Sequence, residues 1–461
     1  MRTFTLQQSK TEVYTPHGGL ALVGHCLNRH TSLPQTARTV VKRHGIPNID
    51  LIRTYLGLIT LGKSDFEAVE SARTDPFFKS AMGIKQSPSS ARLRQRFDED
   101  AQALTPLLED ASCEFLKSVE APVSPLKMGH VALDMDVFPM DNSQTSKEGV
   151  SYTYKGHDGY APIAAYLGQE GWCLGCELRP GSQHANNGFL ETLKRVLPRA
   201  RSLTGSPILL RLDSAHDARD NRDFLSQQEQ VDFLIKWNPR KQDPLVWADK
   251  AQEQQVWTLG RYGKMEAVLS EELPDEPGIR RIVKVTVRTS DAQGQLYLEP
   301  DVRLEGWVTS LPVSVASNQQ VIDLYCDHAT SEQFHSEFKT DLDLERLPSG
   351  KFATNNLVMT FATLGYNVLR WMGLRLTGPD APVRHPAKRR RLRTVMQELM
   401  YMACRLIHSS RQRFLRFGRP GRIVGSTCGA MGYSVPAAVA ASIAEPERLT
   451  LSFVGDGGFM M

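Results

Sequence analysis

Apolar residues recur at three- and four-residue spacing at Ile49, Leu51, Ile52, Tyr55, Leu56, Ile59 and Leu61, so the segment from about Thr36 to Val119 reads as helical. Within it, Gln86-Ser-Pro-Ser-Ser-Ala-Arg-Leu-Arg-Gln-Arg places capping serines ahead of a helix bearing Arg92, Arg94 and Arg96. Two readings of this module stand side by side: a DNA-docking unit and a plain helical domain. At Val131 the period changes. Short β-rich runs follow at Val131 to Phe138, Ile208 to Leu212 and Val231 to Trp237, and Asn221 to Gln228 reads as a helix between the last two. Strand, helix, strand order implies an α/β sheet with parallel neighbours. From about Pro244 to Pro312, alternating runs at Gln255 to Leu259, Arg281 to Thr289, Gln295 to Leu298 and Leu304 to Leu311 predict an antiparallel β insertion. Gln319 to Lys339 contains neither Gly nor Pro and reads as helix, and Asn355 to Leu376 is a long apolar helix.

At 461 residues, 41% hydrophobic and 23% charged, the composition is that of an ordinary soluble protein with two or three globular units. No apolar run approaches the roughly 20 residues of a membrane span, and no secretion signal opens the chain, so a cytoplasmic protein without a membrane partner is expected. Of seven cysteines only Cys173 and Cys176 are closely spaced, and no second Cys or His pair completes a zinc site. Reduced, mostly buried thiols are expected. The net charge of +4 is unevenly spread: between Arg384 and Arg422 twelve cations face the single anion Glu398, a net +11 that leaves −7 for the rest. Such a window suits either a phosphate backbone or a solvated surface.

Candidate chemistry lies in the acids. In Val131-Ala-Leu-Asp-Met-Asp-Val-Phe, alternation puts Asp134 and Asp136 on one face of a strand, where burial is costly unless they bind metal or face a cleft. A second strand, Ile208-Leu-Leu-Arg-Leu-Asp213, ends on an acid, and carboxyl ends of strands are where α/β sheets build ligand sites. In the helix after the insertion, Tyr325, Glu332 and Lys339 are seven residues apart, so they stack along one stripe, and His328, four before Glu332, joins that face. Glu337 lies about 140° from Glu332 and belongs elsewhere. Carboxylates from two strands and one helix supply what a two-metal phosphoryl-transfer site requires: hard oxygen ligands for Mg²⁺ and no side-chain nucleophile.

The pattern Tyr325-x2-His328-x3-Glu332-x6-Lys339 resembles the Y-R-E-K signature of bacterial insertion-sequence transposases of the DDE class, with His where Arg is usual. Leu-Asp-Met-Asp136, Glu177-Leu-Arg-Pro-Gly-Ser-Gln-His184, Arg211-Leu-Asp213-Ser, Ala353-Thr-Asn-Asn-Leu and Gly365-Tyr-Asn-Val-Leu are similar to other blocks of that family, in the same order, between about Thr15 and Gly418. The resemblance implies an RNase H-like catalytic core of α/β class with an antiparallel β insertion, preceded by a small helical domain and followed by a helical basic segment. It divides the chain into an N-terminal region over 1–120, the catalytic domain over 121–380 with the insertion at about 244–312, and the basic segment over 381–420. It implies Mg²⁺- or Mn²⁺-dependent cleavage at transposon ends and strand transfer into target DNA, by a bacterial, nucleoid-associated homodimer. Asp136, Asp213 and Glu332 would be catalytic and hold metal, with Asp134 the alternative to Asp136. Tyr325, His328, Lys339, Lys388, Arg389, Arg390 and Arg391 would contact DNA. The His328 departure keeps a second reading open, an inactive DNA-binding remnant, since imidazole cannot form Arg's bidentate phosphate clamp.

From Gly425 the sequence changes character: Gly-Ser-Thr-Cys-Gly-Ala-Met-Gly, then Gly455-Asp456-Gly457. This resembles the cofactor domain of thiamine-diphosphate enzymes such as acetolactate synthase, where the aspartate binds the metal that holds the diphosphate. Here the motif stops short of its closing asparagines, so residues 421–461 are expected to be a fusion remnant that does not hold thiamine diphosphate.

Overall fold

A computed structural model of the chain describes residues 9–40, 45–239, 242–291, 293–376, 389–409 and 412–417. In chain order its main elements are β1 (Val13–Thr15), α1 (Leu20–His30), α2 (Leu33–Thr36), α3 (Asn48–Ile59), α4 (Val69–Arg73), α5 (Pro76–Met82) and α6 (Ser90–Ser118). There follow β2 (Val131–Val137), β3 (Met140–Asp141), β4 (Ser151–Tyr152), β5 (Asp158–Tyr160), β6 (Ile163–Leu167), β7 (Trp172–Glu177), α7 (Phe189–Arg201), β8 (Ile208–Leu212), α8 (Arg219–Ser226) and β9 (Val231–Trp237). Then come α9 (Pro244–Glu253), β10 (Thr258–Arg261), β11 (Lys264–Glu272), β12 (Arg280–Ser290), β13 (Leu296–Thr309), α10 (Asn318–Cys326), α11 (Ser331–Ser336), α12 (Phe352–Leu376), α13 (Leu392–Val395), β14 (Cys404–Ser409) and β15 (Gln412–Phe417). The described residues group into two compact units, one within 20–395 and a smaller one that brings together 9–19 and residues from 396 to 417.

The larger unit is built on a nine-stranded sheet ordered β10-β11-β12-β13-β9-β8-β2-β6-β7. Only β2 with β8 and β8 with β9 run parallel; every other neighbouring pair is antiparallel. The parallel neighbours expected for Val131, Ile208 and Val231 are therefore present, and β8 and β9 match their predicted bounds. Strands β6 and β7 carry no alternation, because Ile-Ala-Ala-Tyr-Leu is buried on both faces, and the period-two signal has nothing to show.

The insertion departs from expectation in detail. It opens on a helix, α9, whose start is set by Asp243 accepting from Leu245 N at 2.9 Å and by Pro244 in the first turn. Its strands extend the main sheet, since β13 pairs with β9. The runs expected at Gln295 to Leu298 and Leu304 to Leu311 fall in one 14-residue strand, β13.

Helix α12 is apolar nearly all round, the signature of a buried helix. Its few polar groups are spent on backbone: Asn367 takes Cys173 N at 3.0 Å and gives to Cys173 O at 2.7 Å, pinning edge strand β7. Cys173 and Cys176 are buried free thiols. Farther along α12, fully buried Arg370 bonds the Glu337 carboxylate, the Tyr366 hydroxyl at 2.6 Å and the Arg390 carbonyl at 2.8 Å. Glu337 is thus away from Glu332, as its helical angle implied.

Of the basic segment expected to be helical over 381–420, the described part is helical at Leu392–Met400 and changes to strand after Cys404. Strands Cys404–Ser409 and Gln412–Phe417 pair antiparallel, and the first of them also pairs with β1. The alternation of Cys404, Leu406 and their neighbours is short and crowded with cations, and the strand's partner lies at the other end of the chain, beyond any local pattern. Residues 418–461, with the Gly455-Asp456-Gly457 motif, lie outside the described residues.

Removing one member of the Arg370–Glu337 pair leaves an unpaired buried charge. Glu337→Gln is expected to lower unfolding free energy by about 3–5 kcal/mol, while the double change Glu337→Leu with Arg370→Met restores most of it. Urea unfolding of the three proteins checks this; equal losses in single and double variants would contradict it.

Candidate active site

Parallel register brings the first two acids together. Met135 lies opposite Leu212, so the residues that follow, Asp136 and Asp213, stand side by side at the carboxyl ends of β2 and β8. Asp213 caps a 3₁₀ turn, Ser214–His216, and accepts from Ala215 N at 3.1 Å. Asp136 accepts from Val137 N at 2.7 Å. Burial and the neighbouring Asp213 push the Asp136 carboxyl up to about 7, with Glu332 adding to the shift and His328 opposing it. Burial likewise raises Asp213, against the Ala215 N–H, His328 and His184. Glu332 sits exposed on α11. All three acids bear on Tyr154, whose pKa is raised by burial and then by Asp136, Asp213 and Glu332 in turn. The acids thus share one electrostatic neighbourhood around Tyr154, although no three His, Cys, Asp or Glu side chains among the described residues stand close enough to form a metal-holding group.

Asp134 has a different fate from Asp136. Its Oδ1 takes Arg211 Nε at 2.6 Å and His328 Nδ1 at 2.9 Å, and its Oδ2 takes Arg211 Nη2 at 2.7 Å. Burial opposes its ionisation, yet Arg211 and His328 overcome burial and hold the carboxyl down at about 2. Arg211 also gives Nη1 to Leu324 O at 2.8 Å, so one buried node ties β2 and β8 to α10. With both oxygens spent on cations, Asp134 is a poorer metal ligand than Asp136. Burial works against a charge on His328, but Asp134 outweighs it and raises the imidazole's pKa. Its Nε2 is buried with no hydrogen-bond partner.

The helical stripe expected through Tyr325, Glu332 and Lys339 is interrupted. A 3₁₀ turn at Asp327–Thr330 and a π turn at Glu337–Asp341 break the even 100° step. Tyr325 packs edge-on to Trp307, ring centroids 6.3 Å apart, and lies 5.7 Å from the His328 ring. Lys339 bonds Pro139 O at 2.9 Å and pairs with Glu345 at 3.1 Å. Arg389 is buried, gives to the Gln169 carbonyl and stacks 4.6 Å over Phe334. Arg390 offers its carbonyl to Arg370, and Arg391 pairs with Asp341 at 2.9 Å. Lys388 lies outside the described residues.

Two residues near the acids escaped sequence reasoning. His216 is fully buried against Phe189, with both ring nitrogens unpartnered and Nε2 3.7 Å from Asp213 Oδ1. Burial pushes it down to about 3, so it is a neutral ring beside a carboxylate. Its signal was the three-residue spacing in Asp213-Ser-Ala-His216. Tyr154 bonds Val137 O at 3.2 Å and had no local signal.

The family model described as transposase DDE domain group 1 matches residues 14–420. The chain belongs to this transposase family. The DDE transposase match thus spans both described units, and a second model, the C-terminal TPP-binding domain of thiamine pyrophosphate enzymes, matches residues 408–461. No curated protein matches the chain in sequence. Among solved structures, this DDE transposase chain is similar to a piggyBac transposase in a synaptic complex with hairpin DNA, at 11% identity and a TM-score of 0.40, over 85% of this chain and 80% of that one.

The raised Asp136 carboxyl has a stability consequence. The folded protein holds this proton more tightly than the unfolded chain, whose aspartate titrates near 3.8, so metal-free stability falls as pH climbs from about 4 to about 7 and then levels. Asp136→Asn is expected to stabilise the metal-free protein at pH 8 by up to about 4 kcal/mol and to leave it unchanged at pH 4. Thermal unfolding in chelator at both pH values measures this; equal gains at the two would contradict it.

Proposed function

We propose that this chain is a divalent-metal-dependent DNA transposase that cleaves strands at transposon ends and transfers them into target DNA. The observation that carries the reading is the side-by-side placement of Asp136 and Asp213 on adjacent parallel strands, coupled electrostatically to Glu332 of the helix beyond the insertion. We read β7-β6-β2-β8-β9, an antiparallel meander with two parallel strands added beside β2, as an RNase H-like core carrying β10–β13 as its insertion.

The donor chemistry suits Mg²⁺ or Mn²⁺, hard carboxylate oxygens with Asp213 and Glu332 raising the Asp136 pKa, although the side chains do not already stand as a metal-holding group among the described residues. Asp136, Asp213 and Glu332 would hold the metal, which when bound activates the attacking hydroxyl group and stabilises the leaving oxygen. The protein's own part is positional. The Ala215 N–H orients Asp213, the Val137 N–H orients Asp136, and the Asp134–Arg211–Leu324 node fixes the segment leading to Glu332 against the strands. Tyr325 and His328 flank the acids, where a DNA phosphate would lie. DNA is the partner, as transposon ends and target, held by a homodimer in a cytoplasmic, nucleoid-associated setting. The segment at 421–461 is assigned no thiamine diphosphate chemistry.

The rival reading, a DNA-binding remnant without catalysis, draws on His328: its Nδ1 is committed to Asp134, so at most one nitrogen is left to face a phosphate. Incubation with duplexes carrying the element's terminal repeats separates the two. The wild type is expected to nick in Mg²⁺ or Mn²⁺ and not in chelator, with Glu332→Gln at least about a hundred-fold slower. No nicking by wild type in either metal would establish the remnant.

A further inference from the structure

Five described cations of the basic window contrast in what they meet. Arg389 is buried against Phe334, while Arg391 and Arg393 lean on Asp341 at 2.9 and 3.6 Å, so these serve the fold. Arg405 and Arg416 are placed differently: they stand directly opposite each other on β14 and β15, and Tyr14 of β1 completes the row across all three strands. Directly opposed side chains share a face, and like charges there weaken a hairpin unless an anion lies against them. Glu12 meets Arg405 at 2.8 Å and accepts from the Tyr14 hydroxyl at 2.9 Å. Arg416 is exposed and has no acid partner among the described residues. Two residues along the same face, Phe414 stands opposite Ile407 and is 47% exposed, and Tyr14 is 62% exposed. The other face is covered at one end, with Thr15 and Cys404 at 3% and 1%, and open at the other, where Val13 is 51% exposed.

This small sheet therefore presents on one face two opposed guanidinium groups and two exposed aromatic rings, with one acid, Glu12, paired to Arg405 from the β1 side. We propose that the outward face of the β1–β14–β15 sheet is a DNA-binding surface that grips the phosphate backbone of duplex DNA without reading its sequence, Arg405 and Arg416 each neutralising one phosphate. Guanidinium groups match phosphate oxygens bidentately, and an anion seated on the pair removes the repulsion the hairpin otherwise carries. The proposal rests on the transposase reading for the presence of DNA, yet is tested without catalysis.

The test is fluorescence anisotropy of the full chain on a random-sequence duplex and on a single strand of equal length, from 50 to 200 mM salt. Each phosphate contact contributes about 0.9 to the slope of log affinity against log salt. The Arg405→Gln, Arg416→Gln double variant is expected to flatten the duplex slope by about 2 and to weaken duplex binding roughly ten- to a hundred-fold at 100 mM salt. Arg416→Gln alone, which leaves the Glu12–Arg405 pair intact, should flatten it by about 1. Lys at both positions should restore the slope, since an ammonium also neutralises a phosphate. A control removing exposed Lys117 and Lys194 should leave it unchanged. An unaltered duplex slope in the double variant, or a loss confined to the single strand, overturns the proposal. Failure of the transposase reading looks different: duplex binding and its salt slope persist while wild-type nicking is absent.

Discussion

Two aspartates one pleat apart on the same strand face carry the organisation of the larger unit because they are treated oppositely. Asp134 is neutralised on the spot, its oxygens consumed by Arg211 and His328, so a carboxylate sits in the core as part of a closed set of charges. Asp136, at the strand's end, receives a backbone N–H and a second acid. A buried pair stands only while its geometry is complete, and completeness at Asp134 obliges β2, β8 and α10 to keep one arrangement. Asp136 has no such cation bound to its oxygens among the described residues, and burial beside Asp213 instead favours its protonated form.

How much of this was legible follows the range of the interactions. Strands β8 and β9 declared themselves because five- and seven-residue apolar runs between turn residues are local signals, and the acid ending β8 was visible on the same ground. Asp136 was preferred to Asp134 from its place at the strand's end; the groups that distinguish the two in the structure, Arg211 and His328 on Asp134, lie 77 and 194 residues beyond it, out of reach of any local pattern. Strands β6 and β7 were hidden by burial on both faces. The even stripe through Tyr325, Glu332 and Lys339 assumed one helical pitch; a 3₁₀ and a π turn intervene, and the fully buried Glu337–Arg370 pair holds the π turn in place. The β14–β15 strands, expected to be helix, carry only six residues each with cations breaking their apolar pattern, and their further partner β1 lies at the far end of the chain.

Counting arginines overstated what faces solvent. Arg389 packs on a ring, Arg391 closes on Asp341, and Arg211 spends its guanidinium on Asp134 and a carbonyl. Planar, permanently charged and five-donor, Arg suits such interior joints. A run of cations in sequence is thus a mixture of rivets and contacts, and the sheet register tells them apart.

The pairing of Val13–Thr15 with Cys404–Leu406 also governs timing. Almost 390 residues separate the two strands, so at roughly 5–20 residues per second of synthesis the first strand waits on the order of half a minute or more for its mate. During that interval its backbone donors and acceptors are open to water or to any passing strand. A ribosome that halts before the hairpin releases a protein whose opening segment lacks its pairing strand, its edge left open to other chains.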